Sequence, residues 1–588
     1  MKGSKVSKGY FFTILIIVLL LNSSQFGQDP KQSLINVSNI TSWIRDDGFH
    51  DWLLGASPDQ WNGNYPNAKA AGVIFSEGIF WGGLVHDGQS PTVRVDGNDY
   101  VSGCSANTRL YRVRSDYYKV DLTNDAESFF MKDRKDLTNE DLEALKNQYE
   151  KDWNEWPADK GAPYYDVDKD GKYNPDVDIP GVPGALQTLW IDYNDNISES
   201  LYGSIPIGLE VQETYWAYTS LDPIGNVIYK KVDIIYEGRH NSTPDSRIDS
   251  MYICQWSDTG IGEYERNFAG CDTALNLGYA YHAVNTDDYF NVLGLAPPAV
   301  GYFFLQGVSK SSNNPVDSAI FNFKWTKGKK YVHRGSMNRF IYDGPGNTWS
   351  SPPYNYTGTL EFYNLMRGYL PLPSYPFSFK FPSAVADYTA NGVFLLDGDP
   401  VTGTGLVDGI SDGPGGRRLW IVNGPFNMNL GDTAEVVIAL VGGMGDNHLA
   451  SVTKLKYNTK AAITLFNYFV DEMTSGTIQV ETPNQPKSNL VPANYVMYQN
   501  YPNPFNSFTT IKYDLPEPAF VILIIYDVLG REVKRLVYEE KPAGKYSVQF
   551  DADKLSSGVY FYKISFDNVS NSMVFDSLNK TMKLILIK

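Results

Sequence analysis

Cysteine is scarce in this chain of 588 residues, which has only Cys104, Cys254 and Cys271. Three thiols cannot build a disulfide scaffold, and one is left over; Cys254 and Cys271 are the expected pair by proximity. Histidine is nearly as rare: His50, His86, His240, His282, His333 and His448. No two have zinc-ligand spacing, and H-E-x-x-H does not occur. Cys271 and His282 can be paired on paper, but a cysteine among strands is ordinarily buried and inert. A phosphate cradle is also missing. The glycine-rich stretch 395–416 lacks the G-x-x-x-x-G-K-[ST] order and sets Asp397, Asp399, Asp408 and Asp412 where phosphate would be repelled. Nothing in the sequence marks an enzyme. Paired carboxylates of a glycoside hydrolase stay open, since they need proximity in space alone.

Positive charge is short as well. The formal charge is −17, yet residues 1–27 carry Lys2, Lys5 and Lys8 and no acid. The chain from residue 496 onward is nearly neutral, so the acidity sits in the middle. Such a surface repels phosphate backbones, and nucleic acid is excluded as a partner. The only long apolar run is "YFFTILIIVLLL" (10–21), behind three lysines and ahead of a polar stretch. It is short for a bilayer span and reads as a secretory signal peptide over 1–27, leaving no transmembrane segment after its removal.

What the chain has in plenty is aromatics, at 14%, with 51 glycines and 33 prolines. That composition predicts short strands and many turns in three or four folded units. The expected fold is mainly β: a large, β-sandwich-rich body over 28–471 with a few helices, a linker over 472–495, and a small C-terminal sandwich over 496–588. Strands are predicted at 71–88, at 91–103 around an Asp-Gly turn, at 207–220, 226–238 and 248–258, and as strand–turn–strand at 424–443. A helix over 138–153 is announced by a Thr138/Asp141 capping box and by Leu142, Leu145, Tyr149 and Trp153 on one face, which reads as core. A second helix is predicted at 448–471, capped by Asp446.

The stretch "YYDVDKDGKYNPDVDIP" (164–180) carries the clearest chemistry. Asp166, Asp168 and Asp170 occupy positions 1, 3 and 5 of D-x-D-x-D-G, the spacing that turns carboxylates toward one Ca2+. Gly171 permits the reversal, the Lys172 carbonyl is the expected next ligand, and Asn174 fits the ninth position. Val177 stands where an EF-hand has its glutamate, flanked by Asp176 and Asp178, which can take that role. Pro157, Pro163, Pro175, Pro180 and Pro183 forbid the flanking helices of a sensor. The prediction is a structural calcium loop over 166–178. Asp258, Asp272, Asp287 and Asp288 leave a second cation site open, with no spacing that enforces it.

The tail reads as short antiparallel strands at 509–515, 519–530, 531–538, 544–552 and 558–566, closing on "TMKLILIK", and so as an immunoglobulin-like sandwich. Its motifs "YQNYPNPFNSFTTIKYDLP" (498–516), "IYDVLGREVKRLV" (525–537), "SSGVYFYKI" (556–564) and "KTMKLILIK" (580–588) resemble the type A C-terminal sorting domain of the type IX secretion system of Bacteroidetes and related phyla. Tyr501, Pro502, Asn503, Pro504, Phe505, Asp527, Gly530, Gly558, Tyr560 and Lys588 match the motif positions. The resemblance implies recognition by the outer-membrane translocon, removal by a sortase-like protease, and release or attachment to cell-surface polysaccharide. The body resembles large cargo proteins with this tail at 161–190, 202–212, 270–281 and 399–405, a likeness that implies no chemistry. The expected function is a secreted or cell-surface, calcium-stabilised structural or interaction protein. The alternative is a secreted polysaccharide-binding or polysaccharide-degrading protein, since its many Trp and Tyr can stack on sugar rings.

Overall fold

The computed structural model describes residues 31–587 except 52–62, 67–70, 100–101, 197–202, 219–222, 333–338, 344–353, 384–385, 390–391, 411–412, 479, 481–494, 501, 516–518, 542–543, 553 and 569–577. The expected signal peptide lies outside these residues. The chain divides into two compact units, Met1–Pro483 and Asn484–Lys588.

The principal elements of the first unit are β1 (Gly72–His86), β2 (Val93–Gly97), helix α1 (Asn139–Asn154), β3 (Gln187–Asn194), β4 (Leu209–Ala217), β5 (Val227–Tyr236), β6 (Arg247–Thr259), β7 (Asn267–Asp272), β8 (Leu277–His282), β9 (Ala299–Ser311), helix α2 (Tyr356–Met366), β10 (Arg417–Asn429), β11 (Thr433–Gly443) and helix α3 (His448–Ser475). They build two sheets. The first is ordered β7-β8-β9-β11-β5-β4-β3, with short strands paired to β3 and β9. In the second, β10, β6 and β1 lie side by side, and β2 pairs with β1. The body is mainly β, as the composition predicts.

The hydrophobic pattern explains the layering. On β5, Ile228, Val232 and Ile234 face the main core, which they share with Ile79 and Trp81 of β1 and Ile253 of β6. The alternate residues Val227 and Tyr229 face the other way, into a cluster with Val452, Leu455, Ala462, Phe466 and Phe469 of α3. β11 is apolar on both faces: Val436 and Ile438 enter the first cluster, Val437, Ala439 and Val441 the second. An unbroken apolar run is what a strand needs when one side meets a sheet and the other a helix. On the second sheet, α2 sets Phe362 edge-on to Phe80 at 5.5 Å.

Four details depart from expectation. Asp96-Gly97 is no turn: both residues lie in β2, paired with Phe80 and Trp81. Cys254 and Cys271 form no disulfide; both thiols are free and buried, Cys254 in β6 and Cys271 in β7 of the opposite sheet. Sequence proximity misled because the chain changes sheets between them. The α3 cap is Asn447, whose side chain accepts from the N–H groups of Leu449 and Ala450, so Asp446 lies one residue too early. The helix also runs on to Ser475, into the expected linker, where Gly476 ends it at φ +71°. The 138–153 helix matches its prediction, with a Thr138/Asp141 capping box and Leu145, Tyr149 and Trp153 buried.

The second unit is a two-sheet sandwich of β12 (Phe508–Leu515), β13 (Ala519–Tyr526), β14 (Glu532–Lys541), β15 (Gly544–Asp551), β16 (Gly558–Asn568) and β17 (Leu578–Leu586). One sheet joins Val496–Met497, β12 and β15; the other is ordered β14-β13-β16-β17. Alternation is strict on β13, where Ala519, Val521, Leu523 and Ile525 are buried and share a core with Ile511, Tyr513, Tyr562, Ile564 and Leu584. Residues 569–577, between β16 and β17, lie outside the described set.

Candidate metal centre

Two short strands close the base of the aspartate loop, Ile179 opposite Tyr165 and Pro180 opposite Tyr164. Its far side is clipped to the end of α1. The Trp153 indole donates to the Pro175 carbonyl at 3.1 Å, and the Tyr173 hydroxyl donates to the Trp153 carbonyl at 2.6 Å. Prolines that prevent flanking helices thus leave carbonyls that aromatic donors grip. Inside the loop, Lys169 and Gly171 adopt left-handed backbone, φ +61° and +76°. This folds the chain back so that Gly171 N donates to Asp166 Oδ2 at 2.9 Å.

Carboxylate oxygens of Asp166, Asp168 and Asp178 lie within 4.8 Å of one another. Asp178 is buried at 1% exposure and accepts from Val167 N at 2.9 Å and from Asn174 N at 2.8 Å. Asp170 and Asp176 lie outside this group. Asp170 Oδ1 accepts from Lys172 N at 2.8 Å, and Asn174 Oδ1 accepts from Asp176 N at 3.1 Å. Partial desolvation, then the charges of Asp170, Asp178 and Asp166, hold Asp168 above the usual carboxylate range, against the Asp170 N–H, which lowers it. Among the described residues, no lysine or arginine pairs with Asp166, Asp168 or Asp178. The donor set therefore fits a hard divalent cation: convergent oxygens, excess negative charge, and backbone N–H groups that each occupy one lone pair and leave others.

The other aspartates are dispersed. Asp272 pairs with Lys456 at 3.1 Å and Asp258 with Arg418 at 3.9 Å, while Asp287 caps the turn Asp288–Asn291. Asp408 is locked to Arg417 at 2.7 Å and Asp399 approaches Lys456 at 3.3 Å. Asp412 lies outside the described residues.

A buried polar cluster in the main core escaped the sequence reading. Glu213 accepts from His50 Nε2 at 2.9 Å, Tyr193 OH at 2.8 Å and Tyr215 OH at 2.6 Å. Burial alone would raise Glu213, but the Lys230 charge, then His50 and the hydrogen bonds of His50 and Tyr215, bring it down to about 2. The missed signal was alternation: Val211, Glu213 and Tyr215 share a face, so Glu213 points inward with its apolar neighbours. Elsewhere, Asn107, Lys160, Asp192, Asn194, Asn196, Glu210 and Glu237 line a cavity of about 440 Å³, with no aromatic side chain among its described lining residues.

In the tail, the motif residues build the sandwich. Asn503 Oδ1 accepts from Ile585 N at 2.9 Å, and Phe505 N donates to Ile585 O at 2.9 Å, which ties this segment to β17. Pro502 O accepts from Thr509 Oγ1 at 2.7 Å. Asp527 receives Leu529 N and Arg531 N at 2.9 and 3.0 Å, closing a turn in which Gly530 adopts φ +76°. Gly558 opens β16, and Tyr560 OH donates to Ser556 O at 2.9 Å. Tyr501 and Lys588 lie outside the described residues.

A family profile described as the secretion system C-terminal sorting domain matches residues 499–574. No curated protein matches the chain. Among solved structures, a polysaccharide lyase aligns at 6% identity over 65% of this chain and 34% of its own, TM-score 0.17. Dimeric latent PorU from Porphyromonas gingivalis aligns at 10% identity over 66% and 26%, TM-score 0.14. The chain thus spans about a third and a quarter of those two proteins. Scores this low carry no inference about fold or activity.

Proposed function

We propose that this chain, which is a cargo of the type IX secretion system and reaches the cell surface or the medium, is a calcium-stabilised structural or interaction protein. In this reading residues 1–27 direct entry to the secretory route. The tail engages the type IX machinery, with the outer-membrane translocon reading it and a sortase-like protease removing it. Ca2+ locks the 166–178 loop. Asp166, Asp168 and Asp178 would hold the ion, with Asp170, the Lys172 carbonyl, Asn174 and Asp176 as the nearby oxygen donors. The bound cation supplies the positive charge that the three converging carboxylates lack and joins the end of α1 to the hairpin at the loop base.

One observation carries the reading: three carboxylates converge without a protein cation among them. Carboxylates committed to a metal build architecture and are not free to exchange protons. The test is thermal unfolding of the body with and without chelator. Binding to the native state alone stabilises by about 2.7 kcal/mol at a hundredfold excess over Kd, so chelator lowers the melting point and calcium restores it. A melting curve that ignores both would remove the metal from the account.

A second reading, binding of cell-surface polysaccharide, is favoured by the polar cavity with its carboxylates and amides, groups suited to sugar hydroxyls. Glycan-array binding by residues 28–490, with a hydrolysis screen, tests it.

A further inference from the structure

Lys230 is an unusual lysine. It lies on β5 with its side chain in the sandwich core, 3% exposed, and its Nζ has no hydrogen-bond partner among the described residues. An unpartnered buried ammonium is costly. Its neighbour Lys231 points to the other face and is paired with Asp233 at 2.6 Å. Across the core, on β1 of the opposite sheet, Glu77 sets Oε1 3.9 Å from Lys230 Nζ. That separation is too long for a hydrogen bond and close to van der Waals contact. The Glu77 carboxylate is held from its other side, where Gln255 Nε2 donates to Oε2 at 2.9 Å. Tyr215 places its ring 5.2 Å from Nζ, and Glu213 and Asp51 interact with its charge. Asp51 is fully buried; burial and then the Glu77 charge hold it well above the usual carboxylate range.

We propose that Lys230 and Glu77 condense to a side-chain amide, an isopeptide bond that joins the two sheets of the body across its core. The Nζ lone pair attacks Cδ of Glu77, and a C–N bond forms as a C–O bond breaks. Asp51 relays two protons in turn from the lysine nitrogen to the departing oxygen, one before the attack and one as the C–O bond breaks, and ends as it began, so an ammonium and a carboxylate become an amide and one water. No oxidant or other reactant enters. The dry interior favours the neutral amide over two buried charges, and the folded sandwich holds the reacting groups in place. In a body whose three thiols are free, this bond would be its covalent staple.

Peptide mapping of the full chain after denaturation and trypsin tests the proposal. Tryptic fragment 70–94 carries Glu77, and fragment 173–231 contains Lys230, where acylation blocks cleavage. The expected product is these two fragments joined, one water lighter than their sum, with cleavage retained after Lys231. Lys230→Arg should release fragment 70–94 unmodified, while Lys231→Arg should keep the joined species. Free fragment 70–94 with cleavage after Lys230 as the main product of the unaltered chain would overturn the proposal, and this readout needs no variant to fold.

Discussion

Asp178 and Asp176 sit two residues apart and have opposite prospects. Asp178 is buried and receives two backbone N–H groups, whereas Asp176 is exposed. Asp178→Asn should cost about 1–3 kcal/mol even without metal, because one buried donor loses its acceptor. It should also abolish the calcium response. Asp176→Asn should stay within about 0.5 kcal/mol; urea unfolding with and without chelator separates the two. The sequence placed both beside Val177 and could not rank them, since burial is a tertiary property. Asp192 makes a different prediction. Burial, opposed by the Asn107 hydrogen bond and aided by the Glu210 charge, raises it to about 6 from an ordinary 3.8. The native state therefore binds its proton more tightly than the unfolded chain. The group favours folding at low pH, and that contribution is lost as pH rises from about 4 through 6. Asp192→Asn should stabilise at pH 7 and change little at pH 4. Glu213, lowered to about 2 where Lys230 keeps its charge, runs the other way: its contribution is present above 4.5 and lost as pH falls toward 2.

At the scale of elements, α1 is both the best-read helix and the support of the loop. Its capping box and apolar stripe are local signals, visible in any sixteen residues. Thr138→Ala should cost about 1 kcal/mol in urea unfolding. The grip of Trp153 on Pro175 is invisible in sequence, because nothing local links an indole to a carbonyl 22 positions away. Trp153→Phe keeps most of the packing and removes that donor. It should weaken calcium binding, measured by titration calorimetry, while leaving helix content unchanged by circular dichroism. The same divide between local and distant runs through the strands. β4, β5 and β6 were legible from alternation, yet Glu213 and Lys230 were not recognised as interior. Alternation assigns residues to a face and cannot say that a charged residue on the apolar face stays there with partners from the other sheet.

Across the whole molecule, chain order and spatial order disagree. β10 and β11 are separated by residues 430–432 only, yet they belong to different sheets. β11 sits between β9 and β5, pairing with both, so the first sheet is two separate halves until residue 443 has been made. A chain ended before residue 433 would carry raw strand edges on both halves and should aggregate, measured by light scattering, where the complete body stays monodisperse. Ordinary domains can settle as they emerge, segment by segment; here the keystone strand is issued almost last. The architecture delays its own completion until the address that sends it outside is about to be written.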